Sequence, residues 1–418
     1  MVVLLVMNNR PLHIAFIGQK GIPALWGGVE RATEELAVRI AAAGHFVTAY
    51  CRPWYSPHRL MFHHGIRLKH VPSIHTKHLD AISHVFFSLI NALWNCVDVI
   101  HFQGTGPSLL AWIPRVVAPR VRVLVTVHCL DRKLHKWNWF ARFAFFIGEY
   151  IAVRCAHEIF VTSRTLQTYV AQEWGRDATY LPNGVFVDNE KFGLESELAF
   201  FGVEPQQYVV CVGRFMYDKA QHEAIEAFIR AKARGGATMA SIKLVLVGDA
   251  SADDSPYRAV LEELAAGRDD IVFAGMQSGV RLKALMKYSR AGLSLSYSEG
   301  MPLVVLELAA YAVPLVLSDI DAHREIFGDL HAYIALGDID RAATQLEMLV
   351  RNFDEVRVIT SIIAHRIREQ YQWDVIAARY GVSLVALRGV SGRSTIISSS
   401  PFASTSRVNT ATDSFSAR

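Results

Sequence analysis

The first buried strand predicted from the sequence leads directly into a glycine-rich loop. An apolar run at 13–18 is followed by the loop 18–28, a helical pattern at 29–43 and a second strand at 46–51. Gly44 comes directly after the helix, at the position where glycine commonly ends one. A strand, a tight loop, a helix and a second strand form the opening unit of a doubly wound α/β domain.

The alternation of strands and helices stops once and then starts again. Pro182-Asn183-Gly184 is a turn signal that breaks the pattern. The further strands predicted from buried apolar runs are 97–103, 121–128, 157–163, 208–214, 242–247, 271–274, 293–296 and 315–317. We therefore predict two doubly wound domains, 1–185 and 186–370, a C-terminal helix at 371–390, and a disordered Ser/Thr-rich tail at 391–418.

Two carboxylates follow one of the strands predicted for the second domain. Glu299 and Glu307 are separated by a Gly-x-Pro turn, and Pro302 is well placed as a first helical residue. Glu307 falls in an almost entirely apolar helix, where a carboxylate is costly unless it has a partner. A diol is a suitable partner, because one carboxylate accepts from two hydroxyls. The alternative is that Glu299 caps the helix and Glu307 is a solvated charge.

Cations and glycines mark two further loops. Arg214 and Lys219 lie between a predicted strand and a helix, where they could bind a diphosphate. Gly27 and Gly28 precede a helix, whose N–H groups could approach an anion, although a merely tight turn fits equally. The loop matches neither GxGxxG nor GxxxxGK[ST], so neither a dinucleotide site nor a P-loop is supported.

Polar residues also end two strands of the first domain. Gln103 ends one strand, and His128 ends the next with Asp131 three residues later. In doubly wound sheets, ligands bind beyond the carboxyl ends of the strands. His128 and Asp131 are therefore candidate site residues, although a single histidine is more often structural.

Charge is unevenly distributed along the chain. Residues 1–185 contain 19 Lys and Arg against 10 Asp and Glu, whereas the remainder is net acidic. Within the basic part, 132–154 alternates cations with Trp, Phe and Tyr. This pattern is typical of a helix on an anionic membrane surface, or of a groove for a lipid tail. An ordinary helix that packs its aromatics inward fits too, and no nucleic-acid module accompanies the segment.

The sequence does not predict a metal site or a cofactor. Its five cysteines are scattered without a CxxC pair, which indicates reduced thiols and a cytoplasmic protein. Asp319-Ile320-Asp321 and Asp338-Ile339-Asp340 match a short pattern that can hold a divalent cation, but neither has a third ligand nearby. We interpret both as structural.

These residues together resemble a known enzyme family, the retaining glycosyltransferases of family 4, which have the GT-B fold. The matching positions, in the family's order, are Gly27-Gly28, His128 with Asp131, Gly213-Arg214 with Lys219, and Glu299 with Glu307. The resemblance covers residues 13–388, and Gly18-x-x-Gly21-Ile22-Pro23 is similar to the bacterial rhamnosyltransferase-like branch. The family resemblance implies two Rossmann-like domains that face each other across a cleft, with the C-terminal helix returning toward the first domain. Ala220 departs from the pattern, since the family usually has Gly there.

The resemblance implies a role for each position. Arg214 and Lys219, beside Gly213, would bind the diphosphate of a sugar nucleotide, and Glu307 would take the ribose hydroxyls. Gly27 and Gly28 would let the first domain close over the phosphates, and His128 would touch the sugar from that side. Asp131 would lie near the sugar or acceptor. Glu299 would contact the transferred sugar, beside the segment Gly300, Met301, Pro302 and Leu303.

The implied activity is a retaining, metal-independent hexosyl transfer from a nucleotide-sugar to a saccharide acceptor. The acceptor would be lipid-linked, and the protein would act in bacterial cell-surface polysaccharide synthesis, peripherally at the cytoplasmic face of the inner membrane. Two alternatives remain open at this stage: a GT-B sugar-nucleotide isomerase of the 2-epimerase kind, and a non-catalytic nucleotide-sugar-binding protein.

Overall fold

The computed structural model describes residues 10–389 apart from 57–59, 75, 77–78, 134–137, 186–193 and 252–253. Two α/β domains follow one another along the chain, each with helices on both faces of a mostly parallel sheet. This architecture confirms the prediction of two doubly wound, Rossmann-like domains. The tail predicted at 391–418 lies outside the described residues.

An eight-stranded sheet forms the centre of the first domain, in the order β3-β4-β2-β1-β5-β6-β7-β8. Every neighbouring pair is parallel except β3 and β4. The strands are β1 (His13–Ile17), β2 (Phe46–Cys51), β3 (Phe62–His63), β4 (Ile66–His70), β5 (Val99–Gln103), β6 (Arg122–Val127), β7 (Glu158–Val161) and β8 (Thr179–Tyr180).

Helices cover this sheet on both faces. One face is packed by α1 (Gly28–Ala42) together with the C-terminal helix. Four helices contribute to the apolar core on the other face: α2 (Asp80–Trp94), α3 (Trp112–Val117), α4 (Trp139–Cys155) and α5 (Arg164–Trp174). The buried strands explain the apolar runs in the sequence, because strands covered on both faces lack polar alternation.

The second domain has a six-stranded, fully parallel sheet in the order β11-β10-β9-β12-β13-β14. Its strands are β9 (Tyr208–Val212), β10 (Lys243–Val247), β11 (Ile271–Gly275), β12 (Ala291–Ser294), β13 (Leu315–Ser318) and β14 (Tyr333–Ile334). Its helices are α6 (Gln221–Arg234), α7 (Gly236–Ala240), α8 (Ser255–Leu264), α9 (Gly279–Lys287), α10 (Leu303–Ala310), α11 (Asp321–Phe327), α12 (Ile339–Arg351) and α13 (Phe353–Gln370).

The last helix, α14 (Trp373–Gly389), returns to the first domain as predicted. Tyr380 is fully buried there and stacks on His101 with ring centroids 5.4 Å apart. The Tyr380 hydroxyl lies 3.1 Å from His101 Nδ1, and Arg39 of α1 contacts Asp374 at 2.6 Å. An aromatic stack with a satisfied hydroxyl ties the end of the described chain to the first sheet.

The chain crosses between the domains at two adjacent places. Val185 forms an isolated parallel bridge with Gln372, and its N–H donates to the carbonyl of Tyr371 at 2.6 Å. Nearby in sequence, Asn183 donates from Nδ2 to the carbonyl of Met301 at 2.8 Å. The outgoing and returning segments are therefore hydrogen-bonded to each other.

Candidate active site

Glu299 lies in the loop that joins β12 to α10, beyond the carboxyl end of its strand. Its Oε1 accepts a hydrogen bond from Ser296 Oγ at 3.0 Å and forms an ion pair with Lys219 Nζ. Lys219 ends the 3-10 turn Tyr217–Lys219, which follows the neighbouring strand β9. The structure thus brings together two of the residues predicted from the sequence.

Glu307 is buried on α10, with 6% of its surface exposed. Burial raises the pKa of its carboxyl group, and the guanidinium of Arg31 opposes that shift. Arg31 contacts both carboxylate oxygens, at 3.1 Å from Nη1 to Oε2 and at 2.5 Å from Nη2 to Oε1. Because Arg31 belongs to α1, this bidentate ion pair joins the two domains across the cleft.

Arg31 is a site residue that sequence reasoning missed. One signal was present, since Arg31 follows Gly27-Gly28 near the start of a helix, where the helix dipole disfavours a cation. A cation in such a position is stabilised by a nearby carboxylate. Its partner, however, lies in the other domain and could not be named from the local pattern.

The glycine loop of the first domain faces α10. Gly27 has a φ of 103°, and a Cβ at this position would lie 1.9 Å from Glu30 Oε2. Glu30 in turn accepts a hydrogen bond from the N–H of Lys20 at 3.0 Å, which holds the loop against its own helix. A Cβ on Gly28 would contact Leu303 of the second domain at 3.8 Å, so this glycine faces the cleft.

The segment from Gly300 to Leu303 packs directly on the first domain. A Cβ on Gly300 would lie 1.8 Å from the carbonyl oxygen of His128, so only glycine fits there. Leu303 joins the apolar core around α1 and α14. Pro302 has a ψ of 109° and precedes the helix, so its prediction as the first helical residue is wrong by one position. The helix therefore begins at Leu303, which packs on the first domain.

His128 and Asp131 lie beyond the carboxyl end of β6. Nε2 of His128 is 3.0 Å from Gln103 Oε1, and burial lowers the pKa of His128 to about 4, so the ring is neutral at pH 7. Asp131 accepts a hydrogen bond from Thr105 Oγ1 at 3.2 Å. The carbonyl of His128 meets Gly300, so His128 lies at the junction with the Glu299 loop.

Arg214 lies on the surface at the end of β9, where its Nη2 is 3.1 Å from Met216 Sδ. The main chain beside it is tightly constrained, because a Cβ on Gly248 would lie 2.0 Å from the carbonyl oxygen of Gly213. Ala220 is buried with a φ of 49°, a left-handed conformation that explains why glycine is usual at this position.

The two Asp-x-Asp segments are occupied by structural contacts. Asp319 forms an ion pair with Arg324 at 2.5 Å. Asp340 pairs with Arg230 at 2.9 Å, and Asp338 caps α12 by accepting from the N–H of Arg341 at 3.1 Å. Within the part of the chain that the structure describes, no three metal-binding side chains converge.

Solved structures share this architecture over most of the chain. Sucrose-phosphate synthase from Thermosynechococcus elongatus has a TM-score of 0.75 at 19% identity, covering 91% of this chain and all of that one. HepE of Anabaena, solved with UDP and glucose, has a TM-score of 0.74 at 17% identity, covering 90% of this chain and all of that one. At such identities the likeness establishes the fold, which is GT-B.

Two sequence models of domain families match the two halves of the chain. The one described as "Glycosyl transferase 4-like domain" matches residues 27–184, and the one described as "Glycosyl transferases group 1" matches residues 199–360. Together they contain every candidate residue described above. The chain belongs to the GT-B glycosyltransferases. The retaining mechanism and the rhamnosyltransferase-like branch stay predictions.

A curated relative of this glycosyltransferase chain is a Bacillus subtilis protein, TuaC, whose name assigns it to teichuronic acid biosynthesis as a glycosyltransferase. The two are 26% identical over 235 residues, which is 55% of each protein. The chain thus aligns with about half the length of this relative.

The Arg31–Glu307 pair predicts a measurable coupling between the domains. We expect Arg31→Met to lower the free energy of unfolding by about 1–3 kcal/mol, because it leaves a buried carboxylate unpaired while Arg31 itself is partly exposed. The double variant Arg31→Met/Glu307→Gln should recover part of that loss. Chemical denaturation of the single and double variants measures the coupling.

Arg39→Met is the matched control, since Arg39 lies on the same helix but its partners are more exposed: Glu35 of the same helix is 27% exposed and Asp374 is 82% exposed. Arg39→Met should lower the free energy of unfolding by less than about 1 kcal/mol. If the stability losses of Arg31→Met and Glu307→Gln simply add in the double variant, the pair does not couple the domains energetically.

Proposed function

We propose that this chain is a retaining glycosyltransferase that moves a hexosyl group from a nucleotide-diphosphate sugar to a saccharide acceptor. The observation that carries the proposal is the convergence of two ion pairs in one cleft. Lys219–Glu299 and Arg31–Glu307 both lie where the second sheet's carboxyl edge faces the first domain. They supply a cation for a diphosphate and a carboxylate for a diol, at neighbouring positions.

Glu307 is the proposed ribose-binding residue. A carboxylate has about four lone-pair directions, and Arg31 uses only one on each oxygen. The remaining two can accept from the two ribose hydroxyls without displacing Arg31. Arg31 would then keep Glu307 ionised despite its burial, and an ionised carboxylate is the stronger acceptor.

Arg214 and Lys219 are the proposed diphosphate ligands. Breaking the glycosyl–phosphate bond builds negative charge on the leaving diphosphate, and fixed cations stabilise that charge without reorganising. The ion pair with Glu299 holds Lys219 in place before the donor arrives. Two protein cations can meet this charge directly, and for that reason we propose a mechanism in which no metal is required.

The proposed reaction retains the anomeric configuration by attack on the same face of the sugar. The sugar carbon loses its bond to the diphosphate oxygen and gains one to the acceptor hydroxyl, whose proton passes to the departing phosphate. Glu299 is held by Lys219 and Ser296, so we assign it to positioning the sugar and not to covalent attack. His128, neutral at pH 7, would contact the sugar, with Asp131 near the sugar or acceptor.

The structural neighbours and the curated relative support this choice of substrates. HepE was solved with UDP and glucose, and TuaC is named for teichuronic acid biosynthesis. A role in bacterial cell-surface polysaccharide synthesis, in the rhamnosyltransferase-like branch and with a lipid-linked acceptor, is the corresponding proposal for this chain.

The first domain also exposes apolar side chains on three helices that pack on one face of its sheet. On α4, Trp139 is 78% exposed and Phe143 is 56% exposed, instead of packing inward. Arg142 is exposed on the same helix. The other exposed apolar residues of this face are Phe86, Phe87, Ile90 and Trp94 on α2, Trp112, Val116 and Val117 on α3, and Phe140, Phe146 and Tyr150 on α4.

We assign this exposed face to peripheral contact with an anionic membrane that carries the acceptor. Apolar patches of this extent on a domain surface mark an interaction site. The first domain's excess of cations favours an anionic bilayer, to which each Lys or Arg near the surface contributes about 1 kcal/mol. None of the described helices is long and apolar enough to cross a bilayer. Of the segment 132–154, residues 134–137 lie outside the described chain.

The donor site predicts a specific effect of Lys219→Ala. Loss of one charge-assisted hydrogen bond should weaken nucleoside-diphosphate binding by about tenfold to a hundredfold. Lys243→Ala is the matched control, because Lys243 begins β10 at the opposite edge of the sheet and donates to the carbonyl of Gly202. A thermal-shift screen first identifies the nucleotide, and calorimetric titration then measures the affinity of both variants for it.

Unchanged affinity in Lys219→Ala would remove the diphosphate assignment. Activity is tested separately, by nucleotide release with and without acceptor glycans and by the anomeric configuration of the product. Release without any acceptor would favour an isomerase, and an inverted product would contradict the proposed same-face attack.

The membrane assignment predicts that Trp139→Glu/Phe143→Glu lowers pelleting with anionic vesicles to the level seen with neutral vesicles. The control is Ile362→Glu, which changes a residue that is 70% exposed on α13 of the second domain. Co-sedimentation with phosphatidylglycerol vesicles makes the comparison. If the double variant pellets as well as the wild type, this face does not contact the membrane.

A further inference from the structure

Gln103 is a buried residue between α1 and His128 to which the proposed mechanism has given no role. It ends β5, next to β6, and is 5% exposed. One end of its carboxamide, the Oε1 position, lies 3.0 Å from His128 Nε2 and 3.3 Å from Thr33 Oγ1. The other end, the Nε2 position, is buried and has no partner among the described residues.

The hydroxyl of Thr33 decides how this carboxamide is oriented. Thr33 Oγ1 donates its single hydrogen to the carbonyl of Val29 at 2.7 Å, so toward Gln103 it can only accept. If the amide oxygen of Gln103 faces Thr33, the Thr33 hydroxyl can donate to Val29 or to Gln103 but not to both. Both amide hydrogens of Gln103 then stay buried without acceptors. With the amide nitrogen there, Gln103 donates to Thr33 and to His128, and Thr33 still donates to Val29.

The orientation with the amide nitrogen toward Thr33 makes one more hydrogen bond. It leaves only the carboxamide oxygen of Gln103 without a partner among the described residues. Because the two ends of a carboxamide have the same shape, such counting settles which is which. We propose that Gln103 donates from its amide nitrogen to Thr33 Oγ1 and His128 Nε2. Gln103 is then a positioning residue that fixes His128 in the tautomer protonated on Nδ1.

This tautomer determines what His128 can recognise. Its ring is neutral at pH 7, so a single nitrogen carries the hydrogen. Nε2 is occupied by Gln103, whereas Nδ1 makes no hydrogen bond with any described residue. His128 therefore presents an N–H donor to its ligand. On the basis of the proposed function, we expect an oxygen of the transferred sugar to accept a hydrogen bond from Nδ1 of His128.

Nitrogen NMR on the intact, histidine-labelled protein tests the tautomer without any substrate. Two-bond nitrogen–proton correlations identify which ring nitrogen is protonated, and His128→Asn assigns the signals. The wild type should show protonated Nδ1. Gln103→Glu should show protonated Nε2, because a carboxylate can only accept. Thr48→Val, the matched control, removes a hydroxyl that contacts His13 Nε2 at 2.9 Å, and should leave His128 unchanged.

A wild-type spectrum with His128 protonated on Nε2 would overturn the proposal, whether or not Gln103→Glu folds. Turnover adds a second readout once a donor is known. Gln103→Glu should lower kcat by about tenfold with little change in the KM for donor, as expected for one hydrogen bond that matters in the transition state. Because the NMR result needs no activity, failure of the glycosyltransferase assignment would leave the tautomer assignment standing, and the reverse also holds.

Discussion

The ion pair between Arg31 and Glu307 is the interaction on which the site depends. A carboxylate buried in an apolar helix is unfavourable on its own, and burial indeed raises the pKa of Glu307. The compensating cation comes from the other domain and meets both oxygens. Each domain therefore contributes one charge of this ion pair, and the contact that closes the cleft also prepares the carboxylate for a ligand.

Main-chain contacts make this arrangement possible. Gly300 has no room for a side chain against the carbonyl of His128, and the Met301 carbonyl accepts from Asn183. These contacts hold the Glu299 loop on the first domain, beside the two crossings of the chain at Val185 and Tyr371. Electrostatic preorganisation requires charges that are already fixed before the substrate binds, and a loop packed backbone to backbone meets that requirement.

Much of this architecture follows from local sequence patterns. The alternating strands and the glycine loop predict two doubly wound domains, and the family resemblance implies that Lys219 and Glu299 both contact the donor. Two contacts could not be predicted in this way. Arg31 meets a partner 276 positions away, which depends on how the domains face each other. The role of Gln103 depends on one hydroxyl hydrogen of Thr33, which no periodicity reveals.

In the proposed function, both domains share a single donor site. Hydrogen–deuterium exchange of the intact protein, with and without a saturating nucleoside diphosphate, tests it most directly, since ligand contacts suppress local opening. We expect slower exchange both at 299–307 in the second domain and at 27–31 in the first. Protection confined to the second domain would contradict the shared site.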